Sequence, residues 1–349
     1  MKRSTLDMFI KPAAKKPKYE ASLHKSNHVT YPFAVSHLPA PFTKQLGTVP
    51  VTEGKPINDQ PNLDLVYYQP YIPVSIQAGM FEFLRQELFF YRVQYSINRG
   101  GIQTQVNTPR FTTVFGVDAT SRFNDNGDLV DAKTNRPLLQ GRYKCKPRPI
   151  PQCLNELRKL IESVVGENYN FCLVNYYADG SDSIAYHSDD ERFLGADPAI
   201  ASLSLGAKRD FLLRHKTGSP GKPRQIKLPL GSGDMVLMRG KTQANWLHSI
   251  PKRVGEEAKK GRINITFRKA LVKGGTDNYY MYNVGGGCVF RWDDGLRRMM
   301  LWREGDVAGA SRTEAQAQGG TAGPLRAQAD EVAQAQSVVA LAGTPSSSV

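Results

Sequence analysis

The chain has 349 residues, which is enough for one large domain or two ordinary domains with tails. Its hydrophobic content of 40% suits a globular core, and no apolar run is long enough to span a bilayer, so we expect no membrane segment. The formal net charge of +14 predicts a polyanionic partner, although a basic solvated surface gives the same number.

The first part of the chain, residues 1–60, is rich in Lys, Pro and short polar residues with little periodicity, so we expect disorder there. Within it, Lys-Pro-Ala-Ala-Lys-Lys-Pro-Lys at 11–18 is typical of a nuclear-import or nucleic-acid-contact patch, or else of a solubilising tail. No apolar stretch follows the N-terminus, so we expect no secretory signal. The four cysteines lack Cys-x-x-Cys spacing, which favours a reducing compartment over a zinc finger or disulfide framework.

Hydrophobic periodicity predicts the elements that follow. Apolar residues at helical spacing predict helices over 74–91 and 151–165. From residue 170 the period changes to two, which predicts strands at 171–177, 200–205, 209–215, 225–230, 234–238, 245–250 and 261–268. This succession favours a mainly β fold with flanking helices, an antiparallel sandwich or jelly roll. We expect residues 273–304 to be a C-terminal extension packed on the core and residues 305–349 to be a disordered low-complexity tail.

Three histidines lie beyond the N-terminal segment: His187, His215 and His248. His187 and Asp189 form His-x-Asp, and residues i and i+2 of an extended segment point to the same face. With His248 they make the two-histidine, one-carboxylate triad of non-haem Fe(II) oxygenases, which leaves coordination positions open. His-x-Asp alone is a weak signal, and the alternative is a hydrogen-bonded loop histidine; His215 we interpret as structural.

Residues 262–268 form a strongly alternating strand. Apolar Ile263, Ile265 and Phe267 alternate with polar Arg262, Asn264, Thr266 and Arg268. One interpretation is an ordinary amphipathic strand with water on its polar side; the other is an inward pocket for a dianion. The two arginine Cα atoms are about 20 Å apart on a straight strand, at roughly 3.3 Å per residue.

These segments together resemble the AlkB family of DNA-repair dioxygenases, most closely the eukaryotic branch that repairs duplex DNA. The resemblance rests on the stretches 175–191, 200–211, 234–248 and 262–269, and covers roughly residues 63–272. It implies a double-stranded β-helix (jelly-roll) dioxygenase domain over 61–272. Related enzymes probe the duplex with the segment that corresponds to 95–101. The residues of this chain differ there from those of the related enzymes, so the sequence leaves the preference for duplex DNA open.

The resemblance also implies roles for individual residues. It assigns Fe(II) to His187, Asp189 and His248, and 2-oxoglutarate to Asn175, Tyr177, Arg262, Asn264, Thr266 and Arg268. It leaves open which arginine takes which carboxylate. The resemblance places a nucleotide-recognition lid near 109–116, so Arg110 is expected to contact the substrate. Phe115 or Tyr143 either stacks on a flipped base or belongs to the core. Asp190 and Glu191 are expected near the damaged base, where carboxylates attract a cationic methylated ring, or else are simply solvated.

The reaction implied is oxidative demethylation of 1-methyladenine and 3-methylcytosine type lesions in DNA. It uses Fe(II), O₂ and 2-oxoglutarate and releases formaldehyde, succinate and CO₂. The alternatives are an RNA demethylase with the same chemistry and a catalytically inactive nucleic-acid-binding module. We expect a nuclear monomer.

A short apolar motif lies at the N-terminus. Leu6, Phe9 and Ile10 resemble a degenerate sliding-clamp (PCNA) motif, although Arg3 replaces the usual Gln and Ile10 an aromatic. The alternative is a hydrophobic island in a tail.

Overall fold

The computed structural model describes residues 22–99, 102–218 and 225–303. The helices are α1 (Ala40–Leu46), α2 (Val74–Glu87), α3 (Gln152–Val165), α4 (Thr242–Asn245) and α5 (Asp277–Asn283). The strands are β1 (Lys25–Ser26), β2 (Val35–Ser36), β3 (Lys55–Ile57), β4 (Leu65–Tyr68), β5 (Phe90–Tyr91), β6 (Gln94–Arg99), β7 (Ile102–Asn107), β8 (Phe111–Gly116), β9 (Ser121–Phe123), β10 (Leu129–Asp131), β11 (Phe171–Tyr177), β12 (Ile184–His187), β13 (Ile200–Gly206), β14 (Arg209–His215), β15 (Ile226–Leu230), β16 (Met235–Met238), β17 (Trp246–Ile250), β18 (Arg262–Arg268), β19 (Val289–Asp293) and β20 (Arg298–Leu301).

Two antiparallel sheets build the body of the protein. The larger has the strand order β20-β19-β5-β8-β11-β18-β13-β16-β4-β3, and the smaller has the order β12-β17-β14-β15. The predicted mainly β, jelly-roll class is confirmed, and the predicted strands match the observed ones to within a residue at each end. The helix predicted over 74–91 is shorter, because α2 ends at Glu87 and the chain then enters β5.

The middle of the larger sheet is β18, which lies between β11 and β13. Its apolar residues, Ile263, Ile265 and Phe267, are fully buried on the face over which α2 packs. Its polar residues are buried as well, on the opposite face, where Arg268 reaches Asp189 beyond the end of β12. The polar side of this strand therefore faces a protein interior rather than bulk water.

The N-terminal prediction needs correction, because residues 22–60 are not disordered. Tyr31, Val35, Phe42 and Leu46 are buried, and Tyr31 packs edge-on against Phe115. These residues form short elements, and β3 joins the larger sheet through β4. Elements of two to seven residues are too short to show a period, which is why the sequence alone indicated a tail. Residues 1–21, with the patch at 11–18, and the tail from 304 onward lie outside the described residues.

Residues 273–303 fold onto the core. Helix α5 follows the closing strand, and β19 extends the larger sheet by pairing with β5. Trp292 of β19 lies over the guanidinium of Arg85 at 3.7 Å, and Arg85 is itself buried on α2. This segment is therefore an integral part of the sheet. In the described segments, no helix combines the length and the apolar character needed to cross a membrane.

Candidate metal and cosubstrate site

Three side chains converge where the two sheets meet. His187 is the last residue of β12, Asp189 follows it, and His248 lies opposite His187 on β17. The candidate ligand atoms all lie within 4.8 Å of one another, and the two imidazole centroids are 4.2 Å apart. Asp189 and His248 are buried, whereas His187 is half-buried. The pairing of β12 with β17 thus brings His187 and His248 together, although they are 61 positions apart in the sequence.

Neighbouring groups hold these ligands in place. The Nδ1 atom of His187 lies 2.9 Å from the carbonyl oxygen of Ala185, which fixes the tautomer that leaves Nε2 free to bind a metal. The backbone N–H of Asp189 donates to Oε1 of Gln243 at 2.9 Å. Gln243 is almost completely buried on α4, and its amide nitrogen lies 3.2 Å from the sulfur of Met238.

The protonation states suit metal binding. Burial lowers the pKa of His248 to about 3 and also lowers the pKa of His187, so both rings are neutral near pH 7. Burial is the largest single influence and would raise the pKa of Asp189, but Arg268 together with His248, His187 and Arg110 outweighs it, so the net pKa is lowered. Two neutral imidazoles and one carboxylate result, which is the donor set of a facial Fe(II) site.

Arg268 forms the metal end of the pocket. Its Nη2 atom donates to Oδ2 of Asp189 at 3.0 Å, and its Nη1 atom donates to the hydroxyl of Tyr279. Its Nε atom is buried and has no partner. The guanidinium is thus held on two sides, and Nε is the nitrogen left without a partner.

Arg262, at the other end of β18, is in a different state. It is 1% exposed, and its Nη2 atom donates to Ser204 at 2.9 Å, but Nε and Nη1 are buried without partners. Among the residues that the structure describes, no carboxylate forms an ion pair with it. Burial lowers the pKa of Arg262 to about 10. A buried cation with orphaned donors is costly unless an anion is bound there.

These observations test whether Fe(II) and 2-oxoglutarate fit. The triad supplies the metal donors, and the orphaned N–H groups of Arg262 and Arg268 supply partners for two carboxylates. Polar side chains line the strand between them: Asn264 donates to Ser202 at 2.9 Å, and Thr266 donates to the carbonyl of Leu173 at 3.0 Å. The residues therefore fit both groups.

The remaining predicted cosubstrate residues lie on the same face of the larger sheet. Asn175 pairs with Asn264 across the strands, and Tyr177 pairs with Arg262. The Oδ1 atom of Asn175 accepts a hydrogen bond from Nε of Arg110 at 2.9 Å, so Arg110 also points into the site.

Phe115 is not placed to stack on a base, and this expectation is corrected. It is fully buried and pairs across the sheet with Cys172, which is opposite Phe267 on the apolar face. Since successive residues of a strand alternate between faces, Phe115 lies on the side of the sheet away from the metal site. Tyr143 is engaged in a loop cluster, where its hydroxyl lies 2.8 Å from Asp118 and 2.9 Å from Ser121.

Asp190 and Glu191, which follow Asp189 in the sequence, point in different directions. Asp190 points outward and pairs with Lys216 at 2.7 Å, in keeping with the solvated alternative. Glu191 turns inward, where its Oε1 atom accepts from the hydroxyl of Tyr279 at 2.7 Å and its Oε2 atom is buried without a partner. Burial, with the nearby charge of Asp189, raises the pKa of Glu191.

Sequence reasoning missed three supporting residues. Gln243 lies within the stretch 234–248 that carries the family resemblance, but no role was predicted for it, and Tyr279 lies outside all such stretches. Arg209, almost fully buried, donates to the carbonyls of Asp182 and Pro251 at 2.8 and 2.6 Å, tying the loop before β12 to the end of β17. Two signals in the sequence could have found Arg209: the family resemblance over 200–211, and the alternation of β14, which places Arg209 on the same face as Phe211.

Comparison with known proteins agrees with this geometry. The family model described as the 2OG-Fe(II) oxygenase superfamily matches residues 64–268. The chain is 40% identical over 130 residues to DNA oxidative demethylase ALKBH2 of Homo sapiens, which covers 36% of this chain and 49% of that protein. It is 40% identical over 139 residues to alpha-ketoglutarate-dependent dioxygenase alkB homolog 3 of Rattus norvegicus, covering 38% and 46% of the two chains.

The chain spans about half the length of the curated relatives it matches. Among solved structures, OsALKBH1 aligns with a TM-score of 0.37 and 17% identity, over 62% of this chain and 100% of that chain.

Proposed function

Because the chain belongs to the 2OG-Fe(II) oxygenase superfamily, we propose that it oxidatively removes alkyl groups from DNA bases of the 1-methyladenine and 3-methylcytosine type. The proposal is carried by one observation: the triad of His187, Asp189 and His248 is contacted by Arg268, which shares a buried polar strand face with Arg262. The name of one similar protein, DNA oxidative demethylase ALKBH2, supports the substrate class.

When bound, iron and 2-oxoglutarate supply the oxidation by O₂ of an N-methyl carbon, with formaldehyde, succinate and CO₂ as products. His187, Asp189 and His248 would hold the iron. We assign Arg268 to the carboxylate at the metal end, because it touches Asp189, and Arg262 to the distal carboxylate, because it lies six residues away with free donors.

The substrate side of the site is acidic. Glu191 presents a buried oxygen without a partner, and a cationic methylated ring would be attracted to it in a medium of low dielectric constant. Arg110, held by Asn175, lies on the same side of the sheet as the triad and contributes to orienting the nucleotide. A target base must leave the stack to reach such an enclosed site.

The test is base restoration by protein loaded with Fe(II) under anaerobic conditions and then given 2-oxoglutarate, O₂ and an oligonucleotide with one 1-methyladenine. Single-stranded DNA, duplex DNA and RNA carrying the same lesion are compared, and formaldehyde and succinate are measured. His187→Ala and Asp189→Ala serve as inactive controls.

Repair of DNA that disappears in both variants is the expected result. Faster repair of RNA would change the target class, and succinate formed without repair would keep the oxygenase while overturning the substrate. Absence of turnover with iron bound would support a binding module.

A separate proposal concerns residues 1–21, for which the support comes from the sequence alone. We propose that Leu6, Phe9 and Ile10 bind a sliding clamp and that the patch at 11–18 directs the chain to the nucleus. Calorimetric titration of the full chain with PCNA, beside a Leu6→Ala/Phe9→Ala variant, tests the first part. Equal binding by both proteins would refute it.

A further inference from the structure

The C-terminal segment reaches the metal site through one residue, Tyr279 of α5. This residue lies beyond the matched region 64–268 and beyond the closing strand β18. Its hydroxyl accepts a hydrogen bond from Nη1 of Arg268 and donates one to Oε1 of Glu191 at 2.7 Å. Since Nη2 of Arg268 binds Asp189, a continuous chain of contacts runs from a metal ligand to the C-terminal segment.

The ring of Tyr279 is held independently of its hydroxyl. Phe171 and Phe193 contact it at centroid distances of 5.3 and 5.6 Å, both near perpendicular, and the guanidinium of Arg268 lies 4.9 Å from its centroid. These contacts fix the ring, so the hydroxyl has a defined direction. The ring provides packing, and the hydroxyl provides orientation.

The group that the hydroxyl of Tyr279 orients is the guanidinium of Arg268. Nη1 is taken by Tyr279 and Nη2 by Asp189, while Nε is buried without a partner. With two nitrogens anchored, the plane of the guanidinium cannot rotate, and its remaining donors keep one direction. Bidentate recognition of a carboxylate requires such a fixed plane.

We propose that Tyr279 is a positioning residue that holds Arg268 for the metal-end carboxylate of 2-oxoglutarate. The segment 273–303 then belongs to the catalytic unit rather than only to the scaffold. The inference rests on the proposed oxygenase function, and it adds a residue that lies outside the matched region 64–268.

Tyr280 offers a matched control on the same helix. It is buried, and its hydroxyl donates to the carbonyl of Gly116 and accepts from the N–H of Arg148, both at 2.8 Å. These partners lie away from the triad. Tyr279→Phe and Tyr280→Phe therefore each remove one hydrogen-bonded hydroxyl from α5, but only the hydroxyl of Tyr279 is bonded to Arg268.

The experiment is an anaerobic titration of the Fe(II)-loaded full chain with 2-oxoglutarate, without DNA. The visible absorption of the Fe(II)–2-oxo-acid chelate gives the dissociation constant. We expect Tyr279→Phe to raise this constant by about tenfold, the usual effect of losing one hydrogen bond that positions a charged group. Iron affinity should stay within about twofold, and Tyr280→Phe should leave the constant for 2-oxoglutarate unchanged even if it lowers the unfolding temperature.

Removing the hydroxyl also leaves Glu191 without its donor, which threatens folding. Tyr279→Phe/Glu191→Gln removes that buried charge, and the same tenfold change is expected in it but not in Glu191→Gln alone. An unchanged constant in both Tyr279 variants, or an equal change in Tyr280→Phe, would overturn the inference. Failure of the unmodified protein to bind 2-oxoglutarate would instead overturn the proposed function.

Discussion

An arginine lies at each end of β18, and the two guanidinium groups differ in how many of their nitrogens have partners. Arg268 is paired with Asp189 and bonded to Tyr279, which leaves only its Nε without a partner, whereas Arg262 is buried with two unpartnered nitrogens and no ion pair among the described residues. The difference shows that the metal end of the site is assembled by the protein itself. At the distal end the buried charge of Arg262 has no ion-pair partner among the described residues, an unfavourable arrangement that an anion would relieve on binding.

The largest effect is expected from the metal end. Asp189→Asn removes one ligand and the counter-charge of Arg268, so iron affinity should fall by more than about a hundredfold and repair should be lost. Iron content after dialysis measures this directly. Asp190→Asn, one residue away and paired only with Lys216 at the surface, is the control and should retain iron. Full iron retention by Asp189→Asn would remove Asp189 from the ligand set.

The second largest effect is expected in the stability of the metal-free protein, where substitutions of Arg268 and Arg262 should have different consequences. Arg268→Met breaks a buried pair and should lower the free energy of unfolding by about 3 kcal/mol. Arg262→Met removes an uncompensated buried cation and should leave that free energy within about 1 kcal/mol of the original. Urea denaturation of both variants measures the difference. Equal losses would mean that the two ends are not in different states.

A smaller change is expected in cosubstrate binding when Arg262 becomes Lys. The charge remains but the planar pair of donors is lost, so the dissociation constant for 2-oxoglutarate should rise by about 10- to 30-fold. Anaerobic titration with Fe(II) bound measures it, and iron affinity should not change. If the constant stays the same, the distal carboxylate binds elsewhere.

The smallest effect concerns the support of the triad. Gln243→Met keeps the volume but removes the acceptor for the backbone N–H of Asp189, so iron affinity should fall by about tenfold. Asn245→Ala, on the same short helix, removes only a bond to the carbonyl of Lys241 and serves as the control. A similar loss in both variants would indicate a general effect on α4 rather than on Asp189.

The comparison also explains why sequence reasoning succeeded unevenly. The strands of the core were predictable because their alternation is local. The arginines at both ends of β18 were singled out because their residue type suits carboxylate binding, although the alternation alone is equally typical of an ordinary amphipathic strand. Phe115 was ambiguous, since an aromatic residue in a lid and one in a core look alike until the register places it opposite Cys172. Residues 22–60 were misjudged because their short elements gain stability only by packing on the sheet.

The sequence by itself determined the strand succession, the family resemblance and the candidate ligands His187, Asp189 and His248, since these depend on local periodicity and motif order. Only the tertiary structure decided that both faces of β18 are buried, that Arg268 contacts Asp189, and that Tyr279 and Gln243 hydrogen-bond to Arg268 and Asp189. Those facts depend on contacts between residues far apart in the chain, and local pattern carries no information about which distant side chain will fill a given position.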